Sequence, residues 1–240
     1  MRIFAIDTAL EACSAAILDT ERGEIIARES IAMARGHAEA LMPLIARMLE
    51  ASGADFASID RIAVTTGPGS FTGLRVGIAA ARGLALAAGK PVVGLSTLSA
   101  FAAPFLAADA SLPVVVAIDA RHDHVYLQVW AAGGEVLVTP CVVPIAEAVR
   151  LSAVGAPRLT GNAANILANA WQGLPSPTVE PRAAPDIDWV ARAGAAIAEE
   201  ASPPAVGSRA GHTAEPRLRL FLLRRQSRRA AGSAGGERTH

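Results

Sequence analysis

The pattern of apolar and polar positions divides the first 108 residues into strands and helices. Apolar runs bounded by polar or glycine-containing turns predict strands, and apolar residues that repeat every three to four positions predict helices. On these criteria we expect strands at residues 3–6, 13–18, 24–30, 62–64 and 91–94, and helices at 37–51, 72–88 and 97–108. Pro43 is expected to kink the first helix or to mark its first full turn.

The same pattern begins again in the second half of the chain. The run that ends at Asp119 carries Ala-Ile-Asp, as does the run that ends at Asp7, and each precedes a polar turn and an apolar hairpin. A repeated unit of this kind predicts two lobes with one topology. This is the α/β architecture of two-lobed actin-like, sugar-kinase and Hsp70-like ATPases (the ASKHA fold), with duplicated mixed-sheet lobes. We expect a first lobe at residues 1–108, completed by a helix at about 186–200, and a second lobe at 109–185.

The stretch from Val64 to Gly89 predicts a strand, a glycine turn and a helix that Ser70 or Thr72 could cap. The turn does not match a nucleotide motif. No lysine follows it, as a P-loop requires, and Thr72 stands where a dinucleotide fingerprint would have its third glycine. A helix N-terminus can still bind an anion. Without a matching motif, however, this turn is only a weak signal for phosphate binding.

The helix at 72–88 carries a stripe of very small side chains at Gly73, Gly77, Ala81 and Ala85. Each glycine in a helix costs roughly 1 kcal/mol relative to alanine, so close approach by another element is the expected compensation. Two interpretations stay open. The helix presses on its own sheet, or it forms a docking surface for another protein.

Several polar residues are candidates for chemistry. Asp7 and Asp119, at strand ends, could orient a magnesium-bound nucleotide or could accept hydrogen bonds from their own loops. His122 and His124 share a face of an extended segment, but a His-x-His pair without a third ligand is more typical of a solvated loop. His37 is expected to cap a helix or to lie on the surface. The sequence contains no Gly-x-Ser-x-Gly or His-Glu-x-x-His motif, so it does not support the interpretation of the chain as a hydrolase.

Composition narrows the class of protein further. Each apolar run of membrane-spanning length contains a charge, no signal peptide is evident, and the two cysteines suggest no disulfide framework, so we expect a cytoplasmic protein without a membrane segment.

The net charge of zero conceals a basic tail. Residues 201–240 hold eight arginines and two glutamates, so the first 200 residues carry a net −6. A net negative charge on these 200 residues is unfavourable for a protein that binds nucleic acid without a partner. We expect residues 202–240 to be a disordered tail.

Three segments of the chain resemble the TsaB (YeaZ) family. They are Phe4-Ala5-Ile6-Asp7-Thr8, the run Gly67-Pro68-Gly69-Ser70-Phe71-Thr72-Gly73-Leu74-Arg75 with Gly77, and Asp119-Ala120-Arg121. The resemblance covers about residues 1–200 and implies a two-lobed fold and a non-catalytic role in making N6-threonylcarbamoyladenosine at position 37 of tRNA. In this family the larger partner, TsaD, holds a metal through a His-x-x-x-His pair. The corresponding segment here, residues 93–99, has no histidine, so the resemblance implies no metal site.

The resemblance also implies partners and surfaces. It implies a heterodimer with TsaD through helices of the first lobe, recruitment of the ATPase TsaE and contact with tRNA only through the complex. An exposed apolar helix pair tends to find a partner, so the chain alone could form a homodimer through the same helices. It implies no cofactor of its own, although ATP or ADP could bind in the complex. The expected partner interface consists of Leu41, Leu44, Ile45, Met48, Gly73, Leu74, Gly77, Ile78 and Ala81. The candidate nucleotide or cleft residues are Asp7, Thr8, Gly67, Gly69, Ser70 and Asp119.

Two departures from the family pattern leave alternatives open. After Asp119-Ala120-Arg121 the second-lobe turn departs from the family sequence, and the chain beyond about Val206 does not resemble the family's short C-terminus. A shifted reading frame would explain that arginine-rich end. One alternative function is a nucleotide-dependent enzyme or a metallopeptidase of the same superfamily that acts through Asp7 and Asp119. Another makes the basic tail an RNA-binding module.

Overall fold

In this computed structural model the described residues, 1–172 and 175–197, form two five-stranded sheets and six α-helices. The first sheet has the strand order β3-β2-β1-β4-β5. Its strands are β1 (Arg2–Asp7), β2 (Ala12–Asp19), β3 (Glu24–Ala32), β4 (Arg61–Thr65) and β5 (Val92–Leu95). β1, β2 and β3 form an antiparallel meander, whereas β4 and β5 run parallel to β1.

The second sheet repeats this topology with the order β10-β9-β6-β7-β8. Its strands are β6 (Val114–Arg121), β7 (His124–Trp130), β8 (Val136–Pro144), β9 (Arg158–Gly161) and β10 (Thr178–Pro181). Again three strands form an antiparallel meander and two run parallel to its first strand. The predicted fold class, two mixed-sheet lobes of one topology, is therefore confirmed.

Helices pack on both faces of the first sheet and on the second sheet, and one helix lies between the two sheets. They are α1 (His37–Ser52), α2 (Phe71–Ala88), α3 (Thr97–Ala108), α4 (Ile145–Leu151), α5 (Ala164–Ala170) and α6 (Ile187–Ala196). Side chains alternate along β1, so Phe4 and Ile6 pack beneath α1 and α2 while Ile3 and Ala5 pack against α6. α3 joins the two sheets, because its Ala100 belongs to an apolar cluster on the first sheet and its Phe101 belongs to a cluster on the second.

The structure differs from the sequence prediction mainly in the second half. α4 and α5 were not predicted, and β10 lies where the prolines of residues 175–185 predicted an irregular connection. β10 contains only one of these prolines, Pro181, at its last position, and an edge strand tolerates proline. Pro43 lies inside α1 on its exposed side. The predicted helix at 186–200 is observed as α6. Residues 198–200 and the predicted tail at 202–240 lie outside the described residues, and the lobe boundaries stay a prediction.

Candidate functional site

The carboxyl group of Asp7 lies at the end of β1 and is completely buried. Its Oδ1 accepts a hydrogen bond of 2.5 Å from the Thr65 hydroxyl and one of 3.3 Å from the Ala9 amide, while Oδ2 has no partner among the described residues. Burial raises the pKa of Asp7 to about 6, against the lowering effect of these hydrogen bonds. Asp7 is thus held by its own lobe and is not exposed to a substrate.

The glycine turn before α2 covers the loop that follows Asp7. The amide of Ser70 donates to the Ala9 carbonyl at 2.7 Å, and the Thr8 hydroxyl donates to the Gly73 carbonyl at 2.7 Å. The Ser70 side chain accepts from the Gly73 amide, as the sequence predicted for a cap. Two amides that could face an anion at this helix N-terminus are therefore already hydrogen-bonded within the chain.

The glycines of this region are required by close packing. A Cβ atom on Gly69 would lie closer than 3.0 Å to the Ala9 carbonyl oxygen, and one on Gly73 would lie equally close to the Thr8 carbonyl oxygen. A Cβ on Gly77 would collide with the Thr8 hydroxyl. Gly67 has φ of +113° at the turn, a conformation that suits glycine. The candidate residues from Gly67 to Ser70 thus belong to the turn that packs the start of α2 against the loop after β1.

Asp119 is exposed, unlike Asp7. Its amide donates to Asn162 Oδ1 at 2.8 Å, and its Oδ1 accepts from the Arg121 amide at 2.7 Å. No hydrogen bond joins Asp119 to Asp7, nor do they share a partner within the described ranges. The segments beside them instead meet in an apolar cluster, in which Leu10 of the first lobe and Ile118 of the second pack around α3.

The histidines do not form a metal site in the part of the chain that the structure describes, since no group of three or more His, Cys, Asp or Glu side chains is placed to hold an ion. His124 Nδ1 lies 2.7 Å from the His122 carbonyl oxygen, to which it donates. His37 is buried, and its Nε2 donates to the Leu10 carbonyl at 3.0 Å. The prediction that His37 is a cap or a surface residue is wrong, because its ring is used to hold the loop after β1.

The side chains predicted to form the partner interface mostly face inward. Leu41, Leu44, Ile45 and Met48 of α1 are at most 3% exposed, and Gly73, Gly77 and Ala81 of α2 are also buried. Leu74 and Ile78 are partly buried. The buried members of the set pack within their own lobe, whereas Leu74 and Ile78 keep partial exposure. The interface stays a prediction, and the exposed faces of α1 and α2 are the surfaces most open to a partner.

The opposite face of α2 is exposed and partly apolar. It is formed by five exposed residues at helical spacing, which we call the α2 outer stripe: Phe71, Arg75, Ala79, Arg82 and Leu86. Phe71 is 69% exposed and Leu86 is 87% exposed, and Met42 on the neighbouring α1 is 49% exposed. The sequence analysis did not single out Phe71 and Leu86, although one helical period contains them together with Arg75 and Arg82.

By length and composition α2 could also cross a membrane. One such helix is weak evidence, because core helices of globular domains pass the same test. The buried inner face of α2 and its capped ends make it part of the first lobe. An apolar surface on such a helix is typical of a protein-docking site.

Two lobes of one topology, joined by α3, place the chain in the class of two-lobed actin-like (ASKHA) proteins. Two solved structures from Pseudomonas aeruginosa share this fold. One, described as a protein with similarity to the peptidase YeaZ, has 28% sequence identity and a TM-score of 0.69 over 81% of this chain and 91% of that one. The other, YeaZ, has 26% identity and a TM-score of 0.65 over 81% and 90%.

The sequence comparisons identify the family. The family model described as TsaD, tRNA N6-adenosine threonylcarbamoyltransferase, matches residues 25–199. Escherichia coli TsaB, a tRNA threonylcarbamoyladenosine biosynthesis protein, is 42% identical over 131 residues, which are 55% of this chain and 54% of the relative. Haemophilus influenzae TsaB is 41% identical over 52% of each chain. The chain thus spans about half the length of these curated relatives. It belongs to the TsaD family and, within it, to the TsaB/YeaZ group.

Proposed function

We propose that this chain is a non-catalytic scaffold and activator subunit in the synthesis of N6-threonylcarbamoyladenosine at position 37 of tRNA. It forms a heterodimer with TsaD, helps to recruit TsaE and contacts tRNA only through the complex, in the cytoplasm. It needs no cofactor of its own, although ATP or ADP could bind in the assembled complex. Membership of the TsaB/YeaZ group supports the pathway.

One structural observation carries the scaffold role. α2 is packed on one face and leaves Phe71 and Leu86, two large apolar side chains, 69% and 87% exposed on the other. Exposed aromatic and aliphatic side chains of this kind serve as anchors in protein interfaces. In contrast, Asp7 is buried and the loop beside it is covered by the turn before α2, so this carboxylate is not open to a substrate.

Reconstitution of tRNA modification tests the proposal. TsaD, TsaE and a supply of the carbamoyl-adenylate are mixed with tRNA, and the chain is added or omitted. Modification that depends on the chain, with no modification by the chain alone, is the expected result. Equal modification without the chain would refute the scaffold role.

An enzyme of the same superfamily is the second candidate, because the raised pKa and the partnerless Oδ2 of Asp7 are features often found at active sites. Asp7 and Asp119 would then be its catalytic carboxylates, and a metallopeptidase would also hold a metal. ATP hydrolysis or peptide cleavage by the purified chain, lost in Asp7→Asn, would favour it. Hydrolysis that is absent from the wild type, with no stoichiometric metal, would leave the scaffold as the better account.

A further inference from the structure

A four-residue loop, Thr8–Glu11, connects β1 to β2. We call it the junction loop. The side chains of Ala9 and Leu10 are buried in the apolar cluster around α3, which also contains Ile118 and Trp130 of the second sheet. The junction loop is therefore the part of the first sheet that packs into the cluster shared with the second sheet.

The backbone of the same loop is hydrogen-bonded to the starts of α1 and α2. His37, the first residue of α1, donates from Nε2 to the Leu10 carbonyl at 3.0 Å. The carbonyl before it accepts from the amide of Ser70, the N-cap of α2, at 2.7 Å. The carbonyl after it accepts from the Met33 amide, directly beyond β3, at 3.1 Å. Three consecutive carbonyls are thus bonded to three different elements.

These bonds make it difficult for the junction loop to move in parts. Its ends are held by strand pairing, since Asp7 pairs with Ser14 and Ala12 pairs with Ala32. A buried carbonyl that loses its donor costs free energy. A displacement of Leu10 relative to the second sheet would therefore also strain or break the hydrogen bonds to α1 and α2.

We propose that the junction loop links the packing between the two sheets to the positions of α1 and α2, with His37 as a positioning residue. Breaking the bond between His37 and Leu10 loosens the apolar cluster around α3. Loosening that cluster in turn frees the starts of α1 and α2, because coupling between two sites is reciprocal. This link is a property of the chain alone and does not depend on the proposed function.

Substitution of His37 tests the link from the side of the helices. His37→Leu removes the donor to Leu10, whereas His37→Gln keeps a side-chain N–H donor. The distant readout is Trp130, which is 3% exposed and becomes the only tryptophan in a background with Trp171→Phe and Trp189→Phe. We expect His37→Leu to make Trp130 about twofold easier to quench with acrylamide, and His37→Gln to restore its protection.

Thr20→Val is the matched control for this test. The Thr20 hydroxyl also donates from a side chain to a backbone carbonyl, that of Met1, at 2.9 Å, but it lies at the opposite end of the first sheet. Its loss should leave the quenching of Trp130 unchanged. Circular dichroism checks that each variant is folded.

Two neighbouring valines of β6 test the link from the second sheet. Val116 lies in the cluster around α3, whereas Val115 lies in the cluster on the opposite face of the sheet, and both are fully buried. Amide hydrogen exchange at Ser70 and Met33, measured by NMR under native conditions, reports on the distant end. We expect Val116→Ala to speed this exchange about tenfold more than Val115→Ala, because only Val116 packs with the junction loop.

Each result supports the link or overturns it. If His37→Leu leaves Trp130 as protected as in the wild type, or exposes it no more than Thr20→Val does, the link is overturned. The same conclusion follows if His37→Gln behaves like His37→Leu, because the bond to Leu10 would then not be the cause. Equal exchange at Ser70 in the two valine variants would overturn transmission from the second sheet. None of these outcomes affects the scaffold role, which the reconstitution tests separately.

Discussion

The hydroxyl group of Thr8 donates a 2.7 Å hydrogen bond to the carbonyl oxygen of Gly73, and this contact fixes α2 on the end of β1. The approach is close enough that a Cβ on Gly73 would lie within 3.0 Å of the Thr8 carbonyl oxygen, a separation that real Cβ atoms essentially never show. The small-residue stripe of α2 is therefore explained by contact with its own lobe. Larger side chains at Gly73 or Gly77 would disturb folding before they disturbed docking.

Gly73→Ala should accordingly destabilise the protein by about 2–4 kcal/mol, because backbone rather than a flexible side chain must move. Gly83→Ala is the matched control. Gly83 lies in the same helix with no atom within 4 Å of its added Cβ, so this change should stabilise the protein by roughly 0.5–1 kcal/mol. Urea denaturation followed by circular dichroism measures both. Equal effects of the two substitutions would show that the contact with Thr8 is not tight.

Much of the first lobe was predictable from local signals. α2 is bounded by Ser70, which caps it, and by Gly89, whose φ of +64° ends it, and both residues were identified in the sequence. The apolar run of β1 and the repeated Ala-Ile-Asp likewise predicted the two related sheets. These signals are local, and they act within a few residues of the element that they define.

The features that the sequence could not predict depend on long-range contacts. α4 and α5 have seven residues each, too few for a helical period to stand out, and their helical state depends on packing against the second sheet. Both faces of α2 contain plausible interface residues, and only the position of Thr8 shows which face is inside. The buried ring of His37 is similar, because its acceptor, the Leu10 carbonyl, is 27 residues away.

The apolar anchors of the α2 outer stripe should affect binding without affecting folding. Leu86→Gln should change the free energy of unfolding by no more than about 0.5 kcal/mol, because the side chain is already 87% exposed. The same change should weaken binding to TsaD about tenfold or more if Leu86 is an anchor, and it should lower tRNA modification at limiting protein concentration.

Leu137→Gln serves as the control for this prediction. Leu137 is 50% exposed on β8, at the edge of the second sheet, and it should affect neither folding nor TsaD binding. A similar loss of affinity in both variants would mean that the effect does not come from α2.

The raised pKa of Asp7 predicts a pH dependence of stability. The folded state keeps this proton up to about pH 6, whereas the unfolded chain releases it near pH 4, so the folded state binds more protons between these values. Stability contributed by Asp7 is therefore present below pH 4 and is lost as the pH rises to 6. The expected loss is about 3 kcal/mol, from about 1.4 kcal/mol for each pKa unit.

Comparison with Asp7→Asn isolates this effect, because asparagine keeps the oxygen that accepts from Thr65 and Ala9. The free energy of unfolding of the wild type relative to Asp7→Asn should fall between pH 4 and pH 6.5 and then stay constant. A relative stability of Asp7→Asn that does not vary with pH would contradict the raised pKa.

A single substitution in the turn between β6 and β7 should stabilise the protein. Arg121 pairs with His124, and three successive residues, Arg121, His122 and Asp123, have φ of +65°, +50° and +58°. A two-residue hairpin turn with positive φ at both central positions favours glycine, particularly at the second. Asp123→Gly should raise the free energy of unfolding by about 1 kcal/mol, because the left-handed conformation costs a residue with a Cβ roughly that much.

Asp123→Ala removes the same carboxylate but keeps the Cβ, so it should not stabilise the protein. Thermal unfolding of the two variants distinguishes the backbone effect from the loss of the charge, and equal shifts in Tm would assign the effect to the charge.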